Sequence, residues 1–317
     1  MPKNTATLVS IRRKVQGFVR AQRRNPDRYR ILAEGDSWFT TPVEGWKGPT
    51  LVESLKRHSE GGKRPFNIVM VANPTTELRT TLDPNNIDIA LAVLDDWIGR
   101  QTYDMVLLSS GGNDVLGTEI RSLLKDPRDA QVGRCLDAAT TPEQKARCVV
   151  NCAAYCQLLV GFAARIRAFR HDVLRPNGLG RARILMHGYD YPIASGRDMP
   201  VFGGLIRVGP WLLPAFDEQH IPQPLHAPVL KLLIDEFNRM LRDVALSQNL
   251  FHYVDLRNTL NGEQDWADEI HPHSDTGIPK LSVRLQVAIK AVRDKKAGSV
   301  IEFGQVADEY TCGCDAF

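Results

Sequence analysis

No stretch of this 317-residue chain offers the roughly 18 uninterrupted apolar residues of a membrane-spanning helix, and its 43% hydrophobic and 24% charged content is that of an ordinary soluble globular protein. Behind Met1-Pro2-Lys3-Asn4 there is no apolar segment followed by a small-residue cleavage site, so the default expectation is the cytoplasm. The chain lacks internal repeats and low-complexity tracts, which leaves one large α/β unit with insertions as the expected organisation. Paired Cys-x-x-Cys motifs and Cys/His sets are missing too, an argument against a zinc site. Six cysteines are present nonetheless. Cys148, Cys152 and Cys156 fall four apart in a helical pattern and would form one stripe, while Cys135, Cys312 and Cys314 lie elsewhere. An even count permits disulfides and with them an oxidising location; reduced, partly buried thiols fit equally well.

Charge is unevenly spread. Residues 1–30 hold nine Lys and Arg against the single acid Asp27, while the rest of the chain is net acidic. Leu8, Ile11, Val15, Phe18 and Val19 recur there at helical spacing, opposite Arg12, Arg13, Arg20 and Arg23. Residues 1–28 therefore read as a basic amphipathic helix whose apolar stripe docks on the domain. An anionic partner, nucleic acid or lipid head groups, is the less favoured use.

Short apolar runs alternate with helical stretches. Ile31–Ala33, Ile68–Ala72, Met105–Leu108, Ile184–Met186 and His252–Leu256 have the length of buried strands. Helices are predicted near 50–59, 87–99, 143–170, 227–247 and 281–294. The alternation implies parallel βαβ crossovers over residues 29–298, with 299–317 as a C-terminal tail. Reactive groups then gather at the carboxyl ends of the strands. Two stretches exceed ordinary connections, 117–142 and 190–226. The second mixes six prolines with Trp211, Leu212, Phe216 and other apolar residues, a lid or pocket wall on one reading and a core-covering cluster on the other.

Ser37, in Gly35-Asp36-Ser37, follows the first strand and is the leading nucleophile candidate. A serine hydroxyl needs a base and oxyanion donors. The first could come from Asp268-Glu269-Ile270-His271-Pro272, where Asp268, three residues before His271, can accept the Nδ1–H and leave Nε2 as the base. The second could include Asn113 in Ser110-Gly111-Gly112-Asn113-Asp114, whose side chain carries an NH2 donor. Each segment alone also fits a plain turn. Asp265, Glu269 and His273 crowd the same loop, and Asp268 outranks Asp265 on spacing. His187-Gly188-Tyr189-Asp190 ends another strand and reads as a structural turn or a pocket wall.

Taken in this order, the three segments resemble the catalytic blocks of the SGNH hydrolases, the GDSL esterase/lipase superfamily. The resemblance implies a three-layer α/β/α sandwich with a flavodoxin-like parallel sheet of order 2-1-3-4-5 and inserted loops. It also implies an ester hydrolase with Ser37 as nucleophile, His271 as base and then acid, and Asp268 as its partner. The Ser37 N–H and Asn113 would hold the oxyanion, with no metal or organic cofactor required. Where the family has a second-block glycine, Val71-Ala72-Asn73-Pro74-Thr75-Thr76-Glu77-Leu78 has none, and Thr75 aligns best there. The family's leucine after the serine is Trp38. The expected substrate is a small-molecule ester, with the 190–226 stretch favouring an apolar acyl or aromatic portion. A hydrolase-like scaffold that binds an anionic partner through its N-terminal helix is the alternative.

Overall fold

In the computed structural model of the protein, the described residues are all but 1–4, 42–45, 47, 76, 85–86, 96–98, 118, 203–204, 305–309 and 315–316. The five apolar runs are strands β1 (Tyr29–Gly35), β2 (Phe66–Met70), β3 (Met105–Ser109), β4 (Arg183–His187) and β5 (Phe251–Val254), and a short β6 (Val300–Ile301) follows. They pair in parallel in the order 2-1-3-4-5-6. All five residues of β3 are buried, as expected of a central strand covered on both faces. The predicted order 2-1-3-4-5 therefore holds, with β6 added at the edge beside β5.

Helices cover both faces. α1 (Thr5–Arg24) precedes β1, and α2 (Leu51–Arg57) lies between β1 and β2. α3 (Gly112–Leu116), α4 (Ala130–Ala138), α5 (Pro142–Val149) and α6 (Cys152–Phe169) lie between β3 and β4; α7 (Leu213–Glu218) and α8 (His226–Ser247) precede β5, and α9 (Gly277–Arg293) follows it. α2 packs on α9, where Ser54 Oγ donates to Ser282 Oγ at 2.9 Å. On the other side α6 packs on α8, joined by the Tyr155 hydroxyl to the Leu233 carbonyl at 2.6 Å. α1 buries Ile11, Val15 and Phe18 in the common core, with the Phe18 ring 5.2 Å from Tyr103, while Arg12, Arg13 and Arg20 are exposed. The Leu8 side chain lies outside the described residues.

The helix predicted over 143–170 is two. Val150 leaves helical geometry to pair with Leu124, and the Asn151 side chain accepts the Ala154 N–H to start α6 afresh, the role for which asparagine is favoured at a helix start. Cys148 is thereby separated from the Cys152/Cys156 stripe. The 117–142 stretch is also more regular than a loop, because the Asp129 carboxylate accepts the Gln131 and Val132 N–H groups and starts α4. Over Cys152–Leu174 the chain is long and apolar enough to cross a bilayer by composition; here Tyr155, Leu159, Phe162 and Ile166 pack it into the core.

All six cysteines are paired. Cys135–Cys148 ties α4 to α5, and Cys152–Cys312 and Cys156–Cys314 tie the C-terminal tail to α6. Positions four apart on a helix share a face, and positions two apart on an extended chain share a side, so the two bridges form together. The buried Glu236 carboxylate adds to this anchor, accepting from Thr311 Oγ1 at 2.8 Å and from the Cys314 N–H. The two tail bridges close nearly the same loop, so either one keeps most of the constraint on the unfolded chain. Replacing one pair by serine should cost less than about 2 kcal/mol, and replacing both about 4 to 5 kcal/mol, measured by urea unfolding. Equal costs for the single and double replacements would contradict this account.

Candidate active site

β1 ends against β3 so closely that a Cβ on Gly35 would lie 2.2 Å from the Ser109 carbonyl oxygen. Only glycine fits there. The chain then turns: the Asp36 N–H donates to the Ser109 carbonyl at 2.9 Å, and the Phe39 and Thr40 N–H groups return to the Asp36 carbonyl. Asp36 is fully buried. Its carboxylate accepts the Ser109 hydroxyl at 2.6 Å, the Trp38 N–H at 3.1 Å and the Tyr189 hydroxyl. Burial pushes the Asp36 carboxyl above its ordinary range, outweighing these donors and the opposing His271 charge. Ser37 stands at the apex of this turn, and among the described residues no hydrogen bond engages its N–H.

The loop after β5 brings the base. His271 Nε2 lies 2.9 Å from Ser37 Oγ, and His271 Nδ1 lies 2.7 Å from Asp268 Oδ2. A carboxylate oxygen can only accept, so Nδ1 carries the hydrogen and Nε2 is left to accept the serine proton. Asp268 Oδ1 accepts the Ile270 and His271 N–H groups at 2.9 and 2.7 Å. Burial works against the Asp268 charge, but the His271 charge, its ring N–H and these two backbone donors outweigh burial and hold the carboxyl below its usual range. The crowded neighbours point elsewhere. Asp265 pairs with Lys280 Nζ at 2.6 Å, Glu269 accepts backbone N–H groups of residues 196 and 211–213, and His273 Nδ1 accepts the Asp275 N–H.

Asn113, on the first turn of α3, shares a cavity of about 10 Å³ with Ser37, Trp38, Gly112, Leu116, Tyr189 and Ile270, room for roughly one water. Its Nδ2 donates to the Pro74 carbonyl at 3.0 Å. Gly112 lets the Tyr189 ring approach, since a Cβ there would lie 2.9 Å from it. Thr75 is not among the residues around this cavity: it is exposed, and its N–H donates to Asn73 Oδ1 at 3.2 Å. Among the described residues Cys156, Glu236 and Cys314 come within metal-ligating reach of one another, but the two sulfurs are bonded to each other in the tail anchor.

Trp38 is buried and packs inward, its indole N–H donating to the Ile270 carbonyl at 3.1 Å and its ring stacked 5.6 Å from His187. Two groups at the site stood out in the sequence only as members of longer segments, Tyr189 in a turn or pocket wall and Trp211 in the 190–226 stretch, with no sign of their partners. Tyr189 reaches Asp36 across 153 positions, and Trp211 reaches the Asp268 carboxylate across 57. Asp190 is a structural cap, accepting the N–H groups of Asn258, Thr259 and Leu260.

No protein-family model matches the chain, and no curated protein matches it. Solved structures similar to it include a Streptococcus pneumonia protein provisionally described as a platelet activating factor, 14% identical with a TM-score of 0.42, covering 88% of this chain and 92% of that one. TesA is 13% identical with a TM-score of 0.39, covering 83% and 99%. Phospholipase A1 from Streptomyces albidoflavus NA297 is 13% identical with a TM-score of 0.38, covering 82% and 99%.

His187 links the site to acid stability. Its Nδ1 faces the Gly188 carbonyl at 2.7 Å, so Nδ1 carries the hydrogen, and the buried Nε2 has no partner among the described residues. Burial lowers its pKa from 6.5 to about 4, only partly offset by the Gly188 carbonyl. Between those values the unfolded chain binds a proton that the folded protein does not, so stability is full above pH 6.5 and falls as pH drops toward 4. His187→Phe keeps a ring against Trp38 and removes the titration. Its loss of stability between pH 7 and pH 5, measured by urea unfolding, should be smaller than that of the wild type; an unchanged loss would refute the assignment.

Proposed function

We propose that this protein is a serine hydrolase of SGNH type that cleaves a carboxylic ester through Ser37, His271 and Asp268. The observation that carries this reading is the unbroken hydrogen-bond chain from Ser37 Oγ to His271 Nε2 and from His271 Nδ1 to Asp268, at 2.9 and 2.7 Å. Ser37 Oγ attacks the ester carbonyl while His271 Nε2 takes its proton. The Ser37 N–H and Asn113 donate to the oxyanion that forms, in a cavity they share. Collapse of the tetrahedral intermediate breaks the bond to the alkoxy oxygen, which leaves with the proton from His271. Water then attacks the acyl-enzyme, giving its proton to His271, and Ser37 takes a proton back as the acid departs. Thr75 has no part in this reading, because its N–H is already directed at Asn73.

The small cavity supports a short acyl group. This differs from the apolar or aromatic portion that residues 190–226 suggested, and the reason is packing: Leu212, Phe216, Met199 and Val201 are buried within the protein rather than set around Ser37. A non-catalytic scaffold using α1 against an anionic partner is the weaker reading, since the apolar face of α1 is already spent on the core. A fluorophosphonate probe should label the wild type and not Ser37→Ala. Acetate esters should be turned over with kcat/KM about 10-fold or more above octanoate esters, the scale of overfilling a packed pocket. An unlabelled wild type, inactive on short and long esters alike, would reject the hydrolase reading; a preference for octanoate would reject the short acyl group.

Three disulfides also support a working place outside reducing cytosol, in place of the cytoplasmic default. Protein isolated from its own cells and alkylated before reduction should keep all six cysteines unmodified by intact mass. Six alkylated thiols would reject that compartment.

A further inference from the structure

The 190–226 insertion reaches the loop that carries His271 and grips it at both ends. Next to Asp268, the buried Glu269 carboxylate accepts the N–H groups of Gly196, Trp211, Leu212 and Leu213, and the Ile193 N–H donates to the Glu269 carbonyl at 3.2 Å. At the start of the loop the Arg197 guanidinium donates to the Glu263 and Trp266 carbonyls at 3.0 Å each. One side chain of the insertion goes further. Trp211 Nε1 donates at 2.8 Å to Asp268 Oδ2, the oxygen that also accepts His271 Nδ1, and the indole stands edge-on to the His271 ring at 5.9 Å.

A carboxylate offers about four acceptor positions. Asp268 uses one oxygen for two backbone N–H groups and the other for His271 and Trp211. Without the indole, Oδ2 has one donor fewer and its plane is held by three bonds instead of four. More of the carboxylate's negative charge then faces the imidazole, and the ring is less fixed toward Ser37.

Resting on the triad reading, we propose that Trp211 is a positioning residue for the hydrolysis, through which docking of the 190–226 insertion completes the Asp268–His271 pair. Trp211 does not line the cavity at Ser37, so its effect falls on turnover and not on substrate binding.

Trp211→Phe keeps an aromatic ring and removes only the N–H. Its kcat should fall about 10-fold, the scale of one hydrogen bond to a charged group, with KM little changed and the acidic limb of the kcat/KM profile moved to higher pH. Unchanged kcat and pH profile, or a change confined to KM, would overturn the proposal. Fluorophosphonate labelling of the wild type in parallel separates the two readings: a labelled wild type with an unaffected Trp211→Phe sinks this inference alone, and an unlabelled wild type sinks the triad on which it rests. If Trp211→Phe does not fold, 15N-tryptophan-labelled protein carries the test. The Trp211 indole N–H resonance should move on Asp268→Asn, and a resonance that stays in place would overturn the proposal.

Discussion

The buried carboxylate of Asp36 joins the ends of three neighbouring strands. It follows β1 directly, accepts the hydroxyl of Ser109 at the end of β3, and accepts the hydroxyl of Tyr189 just past β4. With the Trp38 N–H it also fixes the turn on which Ser37 stands. A buried carboxylate without such donors would be costly to bury. Three of them make it a junction, and the hydroxyl of Ser37 inherits its position from that junction rather than from any contact of its own with the core.

Around the junction, two long connections do different mechanical work. The segment between β3 and β4 folds into short helices held by the Cys135–Cys148 bridge and leads into α6, which two further bridges tie to the tail. That side packs on α8. The 190–226 insertion instead folds over the loop of Asp268 and His271, with Glu269 as its main anchor. Its prolines and apolar residues had suggested a pocket wall, and several are buried as packing, which leaves only a small cavity beside Ser37.

Much of the fold was legible because parallel strands buried on both faces must be nearly all apolar, and five such runs stand out between helical stretches. Ser37, Asn113, Asp268 and His271 were legible as turn segments following those runs, and the three-residue spacing of Asp268 and His271 is a local property that a tight turn preserves. Thr75 was not. Its place in an alignment said nothing of the Asn73 side chain that takes up its N–H. Likewise the Cys148, Cys152 and Cys156 stripe failed where Val150 pairs with Leu124, since a helix break made by a distant partner leaves periodicity intact.

Local sequence determined the strands and the Asp268–His271 spacing, because each depends on residues a few positions apart whose burial pattern or turn chemistry is fixed by the chain itself. Tertiary structure alone decided that Tyr189 would close on Asp36, that Trp211 would close on Asp268, and that Cys152 and Cys156 would meet Cys312 and Cys314. Those contacts join residues 57 to 160 positions apart, and only the packing of the whole sheet and its insertions brings such side chains within hydrogen-bonding or bonding distance.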